Sequence, residues 1–411
     1  MLGRKQLKAL GCEGHPIAVV PHPFGLHTRK QIRAIAETCV NDIARIAVDA
    51  KSNNTGSAGS KAANATPRAL RIEAPEAPED FDQFCITRKW SDGLPLRPPT
   101  VDRVARFVEA SGRPANEVIA IVQPGFAAAT VEGIAINAVM AGCRPEYMCT
   151  LIATVRAATN RRFNLQAIQA TTNPATAMII VNGPEARRIG VNGHLNCLGQ
   201  GAWANATLGR AMRLILQNIG GALPGDMDRA TQGQPAKYTF CCGENEAQSP
   251  WEPLHVERGF AREASTVTVV GAEGTLNMNT HSKEAGEMLR VFAECMVHPA
   301  SNEYCHGGEP WLVIAPEHAD ILKAGGLTKR DVKQRLWELS KMPAGRLSVK
   351  EVLRAQASRT DEFGEIKPDT LLTISRKPED IWFIVAGGPG THTTYVPCFG
   401  NSRAVTREIG V

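Results

Sequence analysis

Aromatic residues are scarce, at 5% of 411 positions. Stacking on nucleic-acid bases relies on them, and the net charge of +5 is small against 46 basic and 41 acidic groups. The composition therefore implies neither a nucleic-acid groove nor a membrane surface, and small-molecule partners fit better. No apolar run approaches the roughly 18 to 20 residues that cross a bilayer. The opening stretch MLGRKQLKALGCEGHP lacks the apolar core of a signal peptide, so a cytoplasmic chain is expected. No C-x-x-C pair occurs. The eleven cysteines, an odd number without framework spacing, read as small buried hydrophobes of a reducing compartment. Also missing are the G-x-S-x-G elbow and H-E-x-x-H, which argues against serine hydrolases and zincins.

What is present is enough apolar material, 43%, for two or three domains with cores of their own. The pattern divides the chain into residues 1–50, a small βα unit; 51–80, a linker rich in Ser, Asn, Gly, Ala and Pro; and 81–411, a large α/β domain. In the first part HPIAVVPHPFG reads as a short strand. Ile32, Ile35, Cys39, Ile43 and Ile46 then recur at helical spacing. In the large domain AMIIVNGP, STVTVVGAEG, PWLVIAPEH and DIWFIVAGGPG are apolar runs that each end in Gly or Pro, as strands do. Helical stretches alternate with them. Val101, Val104, Phe107 and Val108 mark one, TVEGIAINAVMAG and NATLGRAMRLILQNIGG two more, and Ser348 with Glu351 is a capping-box pattern opening another. The alternation predicts an α/β fold with a mixed or largely parallel sheet and flanking helices, and its rhythm suggests a duplicated core. Ligands in such folds sit beyond the carboxyl ends of strands.

Four stretches could carry chemistry. KYTFCCGENEAQSPWEPLHVE gathers Cys241, Cys242, Glu244, Glu246 and His255. In an extended strand the two thiols point to opposite faces, so only one can serve a given pocket, as nucleophile or ligand. In GQGAWANATLGRAMR, Asn205 is a candidate N-cap, and Arg210 lies near free helix amides that suit a carboxylate or phosphate. Downstream, Asp226 and Arg229 stand in a polar loop. In VAGGPGTHTTYVPCFG, Gly387 and Gly388 would let backbone approach a ligand, and His392 could act as acid or base; no dinucleotide or P-loop pattern is present there. Glu132, on a helix of small residues, is a further site candidate. His281, His298, Cys305 and His306 are the candidate metal ligands, without the closely spaced pairs of a structural zinc site.

The block HPIAVVPHPFGLHTRKQIRAIAETCVNDIARI resembles the C-terminal part of the UGSC-like (seleno)protein family. The region from SDGLPLRPPTVDRVARFVEASGR to AGGPGTHTTYVPCFGNSRAVTR resembles a longer domain that accompanies it. The resemblance implies a redox motif ahead of HPIAVVPHP, where Cys12 stands without a Gly-Ser-Cys partner. A redox half missing from this chain or supplied by another polypeptide is therefore expected.

Three readings result. The first is an enzyme acting on a small polar or anionic molecule, by thiol-redox or carbon–sulfur chemistry at Cys241 or Cys242. In it Glu244 or Glu246 carries protons, His255 or His392 serves as acid or base, and Arg210 anchors the anion. The second is a lyase or hydratase that uses a divalent metal ion. The third is a non-catalytic subunit that completes a partner's redox domain. A homo-oligomer or a subunit of a complex is expected.

Overall fold

The computed structural model describes residues 3, 4, 7, 12–20, 27–52 and 69–410. The chain separates into two compact units, Met1–Thr66 and Pro67–Val411. In the first, the expected helix is present as Arg29–Ser52. Thr28 caps it by accepting a hydrogen bond from the Gln31 amide. Ile32, Ile35, Cys39 and Ile46 are half-buried along one stripe, but Asp42 holds the place expected for Ile43, which is exposed. Residues 15–20 form no strand, and the rest of that expected strand lies outside the described residues. A strand needs a partner for its backbone groups, and β-branched composition alone does not provide one. The expected linker is also shorter at both described ends: the helix runs through Ser52, and another starts at Pro78, burying Phe81 and Cys85.

The larger unit is a mixed α/β structure with twelve strands among its described residues. These are β1 (Val118–Val122), β2 (Ala127–Thr130), β3 (Thr176–Asn182), β4 (Cys241–Gly243), β5 (Thr266–Ala272) and β6 (Leu276–Asn279), followed by β7 (Trp311–Ile314), β8 (Met342–Pro343), β9 (Leu371–Leu372), β10 (Trp382–Val385), β11 (His392–Val396) and β12 (Val405–Glu408). All four strands expected from apolar runs are present, as β3, β5, β7 and β10. Two four-stranded sheets dominate, ordered β12-β5-β3-β4 and β10-β7-β11-β6.

Alternation along the strands assigns the faces. Ile179 and Val181 of β3 join the helices Val131–Ala141, Met148–Ala158 and Trp203–Asn218 in one core. Leu312 and Ile314 of β7 join the helices Ala285–Met296 and Lys329–Leu339 in a second. The intervening residues Met178, Ile180, Trp311, Val313 and Ile384 share a third core, between the sheets. The layers therefore run helix, sheet, sheet, helix. Every residue of β3 and β5 is buried, which explains why their sequences read as continuous apolar runs.

The two sheets have the same pairing scheme. In the first, β3 is parallel to β4 and antiparallel to β5, and β5 is antiparallel to β12. In the second, β7 is parallel to β10 and antiparallel to β11, and β11 is antiparallel to β6. One outer strand of each sheet crosses over: β6 follows β5 in the chain but joins the second sheet, and β12 follows β11 but joins the first. Among the described residues no helix is long and apolar enough to cross a membrane.

Candidate functional site

The parallel pair β3 and β4 ends in two polar residues, Asn182 and Glu244, where the preceding strand residues are apolar. Gly183 then turns the chain with φ +82°, which a side chain would strain. A Cβ on Gly183 would also lie 2.2 Å from the Ala264 carbonyl oxygen. This turn lets the Gly183 amide donate to Glu246 Oε1 at 2.6 Å. The Asn182 side-chain amide donates to both carboxylates, at 2.5 Å to Glu244 Oε2 and 3.1 Å to Glu246 Oε1. The Leu254 amide adds a bond of 2.8 Å to Glu244 Oε2.

His255 completes the group. Its Nε2 is 3.1 Å from the Arg262 carbonyl oxygen, and a carbonyl only accepts, so Nε2 carries the hydrogen. Nδ1 then presents a lone pair in the neutral ring and lies 3.9 Å from Glu246 Oε1. A lone pair facing a carboxylate needs a proton or a donor group between them. Arg187, exposed, places Nη1 4.0 Å from Glu246 Oε2 and marks the solvent side of the cluster.

Three buried polar atoms in this group have no protein partner: Asn182 Oδ1, Glu244 Oε1 and His255 Nδ1. Buried polar atoms are satisfied almost everywhere in native proteins, so three in one cluster call for a polar partner from outside the chain, an ordered water or a ligand. Burial pushes the Glu244 carboxyl up to about 7; Lys329, the Leu254 amide and Asn182 oppose that rise, and Glu246 adds to it. A second buried carboxyl, Glu303, is pushed up to about 8 by burial. Both of its oxygens are engaged, Oε1 by the Cys398 amide at 3.1 Å and Oε2 by the Tyr395 hydroxyl and Ser301. Glu303 therefore braces strand β11.

A cationic floor adjoins the cluster. Glu257, two residues after His255, accepts from Lys329 at 2.8 Å and Lys333 at 2.5 Å. Burial works to raise the Glu257 pKa, but the two ammonium groups outweigh it and hold the carboxyl below its usual range. Lys333 also sits 4.0 Å from the ring centre of Trp382.

Of the residues expected from sequence, Glu244, Glu246 and His255 come together, and the others are placed elsewhere. Cys241 packs under the helical core and Cys242 between the sheets, on opposite faces of β4 as the alternation required. Burial pushes both thiols up, Cys242 well above its ordinary value. The thiolate role expected of them needs the opposite shift. Asn205 is not the N-cap; Ala202 is. The Asn205 side chain is buried and pins the loop before the helix, accepting from the Asn192 amide and donating to the carbonyls of Asn192 and Cys197. Arg210 does not await an anion: it forms a two-pronged pair with Asp92 at 2.8 and 2.9 Å. Arg229 binds back to Gly225 within its own loop, and the Asp226 amide is bonded to Leu223 in the same turn.

The backbone approach expected at Gly387 and Gly388 serves a protein segment. The Gly387 amide donates to the Gly193 carbonyl, and a Cβ on Gly388 would strike Leu195 at 2.5 Å. His392 is exposed at the start of β11, 3.2 Å from Asn277 Oδ1. The carboxylate of Glu132 accepts from the Ala69 amide. The candidate metal ligands also stay apart: His281 pairs with Thr391, His298 with the Met296 carbonyl and His306 with Ser358, while Cys305 faces the Glu351 carbonyl. Among the described residues no three His, Cys, Asp or Glu side chains are arranged to hold a metal ion. Asn182 is the site residue that sequence reasoning missed; its signal is a lone amide closing an apolar strand before Gly-Pro.

No family model, curated protein or solved structure matches this chain.

Proposed function

We propose that the larger unit is an enzyme that moves protons on a small polar molecule, with Glu244 as the acid or base. The observation that carries this reading is the cluster of three unpartnered buried atoms, Asn182 Oδ1, Glu244 Oε1 and His255 Nδ1, beyond the carboxyl ends of β3 and β4. A carboxyl titrating near 7 is poised for proton transfer at neutral pH. Asn182 and the Leu254 amide orient it, and its free Oε1 is the atom available to the reacting group. Glu246, fixed by the Gly183 amide, turns its carboxyl oxygens toward His255. A substrate hydroxyl or amine would supply the donor missing between them. Carboxylates on both sides favour a molecule with donor groups over a bare anion.

The shared pairing scheme of the two sheets supports a duplicated core. Counting back from Pro184 and Pro316, each of which opens a helix after its strand, Asn182 corresponds to Ile314. The strand partner of Ile314 is Val385, an apolar residue, in the place that Glu244 takes in the first half. In this reading the second half kept the frame and the first half acquired the polar pair. Kinship to the UGSC-like family remains a proposal resting on the wording of the two blocks quoted above.

The test spans several substrate classes at once. The protein is incubated in D2O at neutral pH with a panel of small hydroxy acids, keto acids and amino acids, and deuterium incorporation at carbon is followed by NMR. Exchange with at least one compound, lost in Glu244→Gln, is expected. Exchange equal in both proteins would remove Glu244 from the chemistry, and no exchange across the panel would remove the reading.

A further inference from the structure

A cleft of about 460 Å³ opens beside the first turn of the helix Trp203–Asn218 and shares no lining residue with the Glu244 cluster. Its walls are largely apolar, with Leu96, Met140, Ala202 and Ala206 among them, and neither Asp nor Glu lines it. Trp203 stands at the rim, 48% exposed, with its ring held in place by the indole N–H donating to the Gly142 carbonyl at 3.0 Å. Two guanidinium groups flank that ring, Arg97 at 5.3 Å and Arg144 at 5.9 Å from its centre. Both arginines are exposed, and neither has an acidic partner among the described residues. Arg210, by contrast, is neutralised by Asp92.

An exposed indole, two guanidinium groups with no acidic partner among the described residues and an apolar hollow of fragment size form a combination that surface composition alone does not require. Indoles and apolar walls favour a flat hydrocarbon body, and guanidinium groups favour planar oxyanions. The helix start is also without a side-chain cap, so its first amides add to the positive potential along the same wall.

We propose that this cleft binds a small molecule in which a carboxylate or phosphate is attached to a flat apolar body, the ring against Trp203 and the oxyanion on Arg97 and Arg144. The site is separate from the proton-transfer cluster and selects a different chemistry, an anion in place of a hydrogen-bond donor.

The probes are benzoate and phenyl phosphate, titrated into the full chain at low ionic strength while tryptophan fluorescence is recorded, with Trp203→Phe as the reference for the other five indoles. Saturable quenching is expected in the wild type and absent in the reference protein. The double variant Arg97→Gln/Arg144→Gln should weaken binding by about tenfold or more, the loss of one charge-assisted hydrogen bond. Inorganic phosphate, which lacks the ring, should bind more weakly than phenyl phosphate. All three side chains are exposed, so unfolding does not confound the result; unchanged thermal midpoints verify this. The proposal is overturned if neither probe saturates at millimolar concentration, if the double variant binds like the wild type, or if quenching persists in Trp203→Phe.

Discussion

Replacing Glu244 by Gln should make the protein more stable at alkaline pH and leave it unchanged in acid. The carboxyl is buried and titrates near 7 in the folded chain, against an ordinary 4.5. Below 4.5 it is protonated in both folded and unfolded chains. Between 4.5 and about 7 the unfolded chain releases the proton while the folded chain retains it. Folding then binds a proton, so stability falls as pH rises through this window and levels off above it. At about 1.4 kcal/mol for each pH unit, the window amounts to about 3 kcal/mol. Glutamine mimics the protonated acid and does not titrate, so the variant escapes this loss, and titrating groups remote from Glu244 cancel in the comparison. All six tryptophans, from Trp90 to Trp382, lie in the larger unit, so urea unfolding followed by tryptophan fluorescence reports on that unit alone. The difference in unfolding free energy between variant and wild type should grow from near zero at pH 4.5 to about 3 kcal/mol at pH 8. Parallel pH profiles would refute the buried, proton-retaining carboxyl and with it the chemistry assigned to Glu244.

Two further perturbations probe the frame around the site. Gly183→Ala combines a Cβ 2.2 Å from the Ala264 carbonyl with a positive φ, so it should cost about 2 kcal/mol or more and displace the amide that holds Glu246; a urea midpoint within error of wild type would contradict the turn geometry. Glu257→Gln strips the counter-charge from two buried ammonium groups and should cost about 3 to 5 kcal/mol near neutral pH. Burial already lowers the Lys333 pKa, so part of that loss should be recovered as pH rises and Lys333 discharges; a pH-independent deficit would speak against unpaired charge as its cause.

The frame was readable wherever a segment is buried on both faces. The four strands β3, β5, β7 and β10 announce themselves because both sides of each contact a core, which keeps their sequences rich in apolar and β-branched residues. Strand β6 did not, since only Met278 of Leu-Asn-Met-Asn is buried. Strand β12 ends in exposed Arg407 and Glu408 and is likewise silent. In the site, Glu244, Glu246 and His255 were legible because they share one short stretch. Asn182 lies about sixty positions upstream and reaches them only through the parallel pairing of β3 with β4. The cysteines misled because adjacency to acids suggests reactivity, whereas the strand directs both thiols into oily layers. Asn205 misled by residue type: the helix begins at Trp203, and the amide serves the Asn192 loop instead.

The crossing of β6 and β12 has a mechanical consequence. Neither half of the larger unit owns a complete four-stranded sheet, since each borrows its outermost strand from the other. The halves are buckled together like two hooks, and neither can leave without tearing a ladder from its neighbour. The carboxyl cluster at the carboxyl ends of β3 and β4 thus sits on a frame whose rigidity is set in part by a strand far along the chain, and β12 acts as a clasp that closes the sheet beneath it.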